Sequence, residues 1–95
     1  MLDRLAPADF TPHVGAAFAA DALALELVEV KPLPPPPPGT RVRPEPFTLL
    51  FLARVPGYLP QGTYSLTHAG LGRLDVFLVP VGRTPDGALL EAVFN

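Results

Sequence analysis

The feature that most constrains this chain is a two-residue alternation of apolar and polar side chains, because an extended strand places every second side chain on one face. It is cleanest in Thr63-Tyr64-Ser65-Leu66-Thr67-His68, where Tyr64, Leu66 and His68 oppose three hydroxyl residues. In Leu23 to Lys31 the alternation changes phase. Leu23, Leu25 and Leu27 share one side with Glu26 opposite, and then Val28 and Val30 take the apolar side with Glu29 and Lys31 opposite. One inserted residue near Leu27-Val28, a β-bulge, keeps both sets toward a core and bends the strand as a barrel requires.

Further strands are predicted over Ala16 to Ala20, Phe47 to Arg54, Arg73 to Val81 and Ala88 to Asn95, with a tight turn at Ala20-Asp21-Ala22 and a hairpin loop at Ala69 to Gly72. Thr84-Pro85-Asp86-Gly87 matches a type I turn followed by a left-handed glycine, the pattern of a glycine-bulged hairpin. Pro80 cannot donate to a neighbouring strand, so it requires a free edge or a bulge there. Before the first strand, Ala6 to Gly15 reads as one helical turn, with Pro7 preset for its start, Asp9 near its positive end, and Phe10 and Val14 anchoring it on the sheet. These elements predict an all-β, mainly antiparallel fold: a small six-stranded barrel or a two-layer sandwich behind a short N-terminal helical turn, with the barrel preferred.

The 95 residues suit a single domain, 1–95, whose one long loop is the proline-rich stretch 32–46. Its prolines favour polyproline II, a stiff exposed spacer between strands rather than a docking peptide. A chain this short buries only roughly 60 to 65% of its unfolded surface, so a thin core gains from association. With 48% hydrophobic and 17% charged residues the chain folds rather than staying disordered. Seven basic residues are scattered along it against nine acidic ones, which argues against nucleic acid as a partner. It has no cysteine, which excludes disulfides and thiolate metal sites. With neither a leader pattern nor an uninterrupted apolar run, no membrane segment and a cytoplasmic location are the expectations.

No motif for catalysis, cofactor or metal emerges. His68 and Asp75 flank a hairpin loop and could start a general-base pair, yet no nucleophile motif accompanies them, and a cross-strand surface contact is the simpler expectation. His13 and His68 match no metal-ligand spacing. Gly70 and Gly72 precede a strand rather than a helix, so they are not placed to cradle a phosphate. Tyr64 fits the core, or, with His68, the mouth of a small-ligand-binding barrel, the alternative function to weigh.

The sharper signal is apolar residues on both faces of part of the sheet. Leu50 and Leu52, with Phe77, Val79 and Val81, lie opposite Leu49-Phe51 and Leu74-Val76-Leu78, so a second face needs cover. Leu50, Leu52, Phe77 and Val79 are therefore the candidate interface, with the chain itself or another protein as partner and no enzymatic activity expected.

Leu2-Asp3-Arg4-Leu5, Asp9-Phe10, His13-Val14-Gly15, Pro46 to Phe51, Leu59 to Tyr64, Leu74 to Gly82 and Glu91 to Asn95 together resemble a family of short bacterial proteins with a domain of unknown function. Its most specific pieces are the proline-glutamine-glycine turn before Tyr64, the stretch Phe77 to Gly82 and the aromatic-asparagine ending. The chain departs from it around Ala16 to Ala22 and Pro34 to Pro38. The resemblance implies a genomic setting near phage-tail-collar-like proteins, hence a phage-tail-like or secreted assembly, and supplies no catalytic residues.

Overall fold

Each alternating segment becomes a strand. The computed structural model describes residues 5–34, 37–39 and 46–94. Expectations placed on Leu2 to Arg4, Pro35, Pro36, Arg41, Arg43, Pro44 and Asn95 lie outside these residues. The strands are β1 (Ala17–Ala20), β2 (Leu23–Pro32), β3 (Phe47–Ala53), β4 (Gly62–His68), β5 (Gly72–Thr84) and β6 (Gly87–Phe94), preceded by a one-turn helix α1 (Pro7–Phe10) and a 3-10 turn (Thr11–His13). Every pairing is antiparallel, and the order β1-β2-β3-β6-β5-β4 closes into a barrel, which decides between the two predicted architectures.

The bulge falls where the alternation changes phase. The β2–β3 register shifts between Leu27 and Glu29, leaving Val28 as the extra residue. Leu25 and Leu27 are buried and Val30, opposite Leu49, packs on the core, so the inward set resumes at Val30 and not at Val28. Pro80 meets both of its conditions: β4 begins at Gly62 opposite Leu78, leaving the rest of β5 with β6 as its neighbour, and the β5–β6 register shifts between Pro80 and Gly82. Pro32 departs from expectation by ending β2 opposite Phe47, a position where a missing N–H is tolerated, and Leu33 N then donates to Pro46 O at 2.8 Å, tying the ends of the proline-rich loop.

The glycines divide their roles differently from the sequence reading. The left-handed glycine after a three-residue hairpin loop is Gly72, φ +77°, following Ala69 to Leu71. Thr84 and Gly87 instead pair directly around Pro85 and Asp86, and Gly87 has φ +152°, far from the left-handed helical value. Glycine is needed there for space: a Cβ would lie 2.2 Å from the Ala53 carbonyl oxygen. In the turn between β1 and β2, Asp21 takes φ +53°, which aspartate tolerates better than most residues.

The barrel interior is a packed core. Phe18, Leu25, Leu27, Leu49, Phe51, Leu66, Leu78 and Leu90 are buried within it, each contributing about 1.5 to 3 kcal/mol. Phe10 caps one end, its ring 5.8 Å from Phe47 and 6.1 Å from Phe94, which stack on each other at 4.7 Å. The helical cap therefore forms as predicted, with the Asp9 carboxylate accepting the Ala6 N–H at 2.7 Å, but of the predicted pair of anchors only Phe10 is buried, Val14 being 49% exposed.

Candidate functional site

Cross-strand register assembles the outer face. Leu50 lies opposite Glu29 of β2 on one side and Glu91 of β6 on the other, and Glu91 lies opposite Val79 of β5. One row along, Thr48 sits between Lys31 and Val93; one row the other way, Leu52 sits between Glu26 and Leu89. Two residues along each strand from the Val79–Glu91 pair come Phe77 and Val93, 54% and 52% exposed. Val81 is also 52% exposed, lifted out by the bulge after Pro80.

The four candidate residues thus lie on one side of the sheet, opposite the buried Leu49, Phe51, Leu74, Val76 and Leu78, but they are not equally available. Leu52 is only 7% exposed. It lies between Glu26 and Leu89, and Arg54 pairs with Glu26 at 2.8 Å, so this end of the outer face is closed by its own neighbours. Leu50 and Val79 are half-buried and Phe77 is open. Val93 completes the open patch. It was missed because β6 alternates apolar residues on both faces, and nothing local says which set faces outward.

The polar candidates separate. Asp75 pairs with Ser65 on the outer side, whereas His68 pairs with Gly72 and stacks on Phe18 at 4.7 Å, so the two groups occupy opposite faces and form no acid–base pair. Asp75 instead accepts hydrogen bonds from the Ser65 hydroxyl at 2.7 Å and Arg73 Nε at 3.3 Å. The Ser65 bond holds the carboxyl below its ordinary 3.8 against the opposing effect of desolvation, and the Arg73 charge and hydrogen bond act in the same direction as Ser65 to a lesser extent. Tyr64 donates its hydroxyl to Pro60 O at 2.5 Å.

His13 and His68, 55 residues apart in sequence, come together with ring centroids 4.4 Å apart, a contact that no spacing rule reveals. His68 Nδ1 accepts the N–H groups of Gly70 at 3.0 Å and Leu71 at 3.2 Å, so its neutral ring carries the proton on Nε2 and has no lone pair left for a metal. The histidine thus fastens its own hairpin loop. Among the described residues no group of three or more potential metal ligands converges, and no buried side chain is polar or charged. No helix among the described residues is long and apolar enough to cross a membrane.

The pattern of a domain of unknown function, DUF6916, matches residues 5–94, from the helical cap to the last strand. The chain belongs to that family. The match spans every strand of the barrel, so the DUF6916 domain and the closed sheet coincide. No curated protein and no solved structure matches the chain significantly.

Proposed function

We propose that this DUF6916 domain is a non-enzymatic interaction module that pairs with a second copy of itself through the outer face of β3, β6 and β5. The observation that carries this reading is the half-exposed Phe77 and Val93 beside Leu50 and Val79 on one continuous face. A regular sheet surface with so many large apolar residues in water is a disadvantage that a partner removes.

The charges on the face favour a second copy. Lys31 stands at its β2 edge while Glu91 lies near its middle, between Leu50 and Val79. A twofold axis can set the lysine of each copy against the glutamate of the other. A stable pair buries about 800 Å² on each side, more than the apolar patch alone provides, so the flanking Thr48, Thr63 and Glu29 belong to the contact. A phage-tail-like or secreted assembly would be one setting for such pairing, and that finer part rests on the family resemblance alone.

The test is solution mass by light scattering during size-exclusion chromatography over a range of concentrations. The wild-type chain is expected to form a pair, and Phe77→Ser to weaken it about 30-fold, from about 1 kcal/mol of apolar burial lost in each copy by a side chain that is 54% exposed in the monomer, about 2 kcal/mol per pair. A strict wild-type monomer at every concentration, or a Phe77→Ser chain with unchanged pairing, would overturn the reading and turn attention to a different protein as partner.

A further inference from the structure

The barrel closes through an incomplete seam. β1 and β4 meet at the register pair Ala19–Thr67, so β1 runs beside the second half of β4 and then turns away at Asp21 and Ala22. The first half of β4, Gly62 to Ser65, is paired with β5 through Leu78, Phe77, Val76 and Asp75, and has no strand on its other side among the described residues. In an antiparallel strand every second residue aims both its N–H and its C=O away from a given neighbour, so this edge carries backbone donors and acceptors without a ladder partner among the described residues.

A second observation coincides with it. A groove of about 570 Å³ runs along this edge, lined by Ala20 to Leu23 on one side and Pro60 to Ser65 on the other. Leu23 and Tyr64 lie on either side of the gap and pack on the core, yet both stay half-exposed, while Leu66, the next residue on the same face of β4, is buried. Both side chains are therefore reachable from the gap. At the rim, Asp21 has neither an ion pair nor a hydrogen bond among the described residues.

We propose that this edge of β4 is a docking groove for an extended peptide of a partner protein, held by strand addition. The peptide lies antiparallel to β4 in line with β1, turns an apolar side chain inward over Leu23 and Tyr64, and sets a basic side chain beside Asp21. Main-chain bonds to Gly62 to Ser65 supply affinity, and the apolar and basic positions supply selectivity. Four residues of strand span about 13 Å, a length matching a short peptide. The β1–β2 turn closes one end of the groove, so the opening suits a single short extended segment, and the Asp21 carboxylate at its rim, unpaired among the described residues, favours one that carries a basic residue. The groove adjoins the outer face proposed for self-pairing at Thr63, which lies opposite Phe77, but it is held through the main-chain edge of β4 rather than through that face, so neither proposal depends on the other.

The test uses the full chain carrying Phe77→Ser, so that self-pairing does not contribute, labelled with nitrogen-15 and titrated with the peptide acetyl-Thr-Val-Arg-Val-Thr-Val-amide. Saturable amide shifts confined to Ala20 to Leu23 and Gln61 to Leu66 are expected. A peptide with the same side chains but N-methylated at alternate amides should bind at least about tenfold more weakly, from the loss of two main-chain bonds. Asp21→Asn, chosen because asparagine tolerates the same backbone angles, should lower affinity for the arginine peptide about threefold at low salt and leave a valine-for-arginine peptide unaffected. Equal binding of the N-methylated peptide, shifts centred elsewhere, or no saturation up to millimolar peptide would each overturn the proposal.

Discussion

Replacing Gly87 by alanine tests a close backbone approach between β6 and β3. A Cβ at this position would stand 2.2 Å from the Ala53 carbonyl oxygen and 2.9 Å from both the Ala53 carbonyl carbon and the Arg54 Cα. All three are backbone atoms, so no rotamer change can relieve the clash, and β6 must separate from β3 where Ala88 faces Ala53. Overpacking of this kind costs about 1 to 3 kcal/mol, and holding alanine near φ +152° adds about 1 to 3 kcal/mol more. The expected loss, about 4 kcal/mol, compares with a total stability of about 5 to 14 kcal/mol for a chain of this size. Gly57→Ala is the control: its φ of +76° imposes conformational strain, but nothing lies within 4 Å of the added methyl. Because the chain lacks tryptophan, unfolding is best followed by far-ultraviolet circular dichroism against temperature and urea. The Gly87 variant should melt about 8 to 16 °C below the Gly57 variant, the equivalent of about 2 kcal/mol of clash alone. Melting temperatures within two or three degrees of each other would refute the steric argument and leave only backbone preference.

Two further perturbations follow from the surface hydrogen bonds. Asp75 has a carboxyl held down by Ser65 and Arg73, so its contribution to stability is present above pH 3.8 and is lost as pH falls through its lower folded value; carbon-13 titration should place its midpoint below 3.8, and Ser65→Ala should raise that midpoint. A wild-type midpoint at or above 3.8 would count against the bond. Arg83 donates from Nη1 to the carbonyls of Val55 and Gly57 and lies 6.0 Å from the Tyr58 ring, fastening the β3–β4 connection to the edge of β5. Arg83→Ala should lower stability by about 1 to 2 kcal/mol and speed hydrogen exchange or proteolysis at Val55 to Leu59, and an unchanged exchange rate there would show that the connection is held by other contacts.

What the sequence determined by itself is what period and local backbone chemistry can carry. Alternation along Thr63 to His68 and Arg73 to Leu78 dictated strands and assigned Leu66, Leu74, Val76 and Leu78 to the core. The phase change at Leu27 required the bulge, Pro80 required a broken ladder, and Pro7 with Asp9 began a helical turn. Each of these follows from steric and hydrogen-bonding rules acting over a few residues. The turn at Thr84 to Gly87 was legible as a turn, whereas the reason for its glycine was not, because the obstructing carbonyl belongs to Ala53 on another strand.

Only the tertiary structure decided between barrel and sandwich, since closure depends on β1 reaching β4, a pairing between segments nearly fifty residues apart that the alternation of either leaves open. The candidate outer face was legible as a set of apolar residues on the far side of Leu49 and Leu78, but register alone closed it at Leu52 and extended it to Val93. The contact of His13 with His68, the separation of His68 from Asp75, and the half-covered edge of β4 are likewise products of how strands meet. Side-chain period fixes the two faces of a strand, while the neighbours of each face, and therefore what it can bind, are set by long-range pairing.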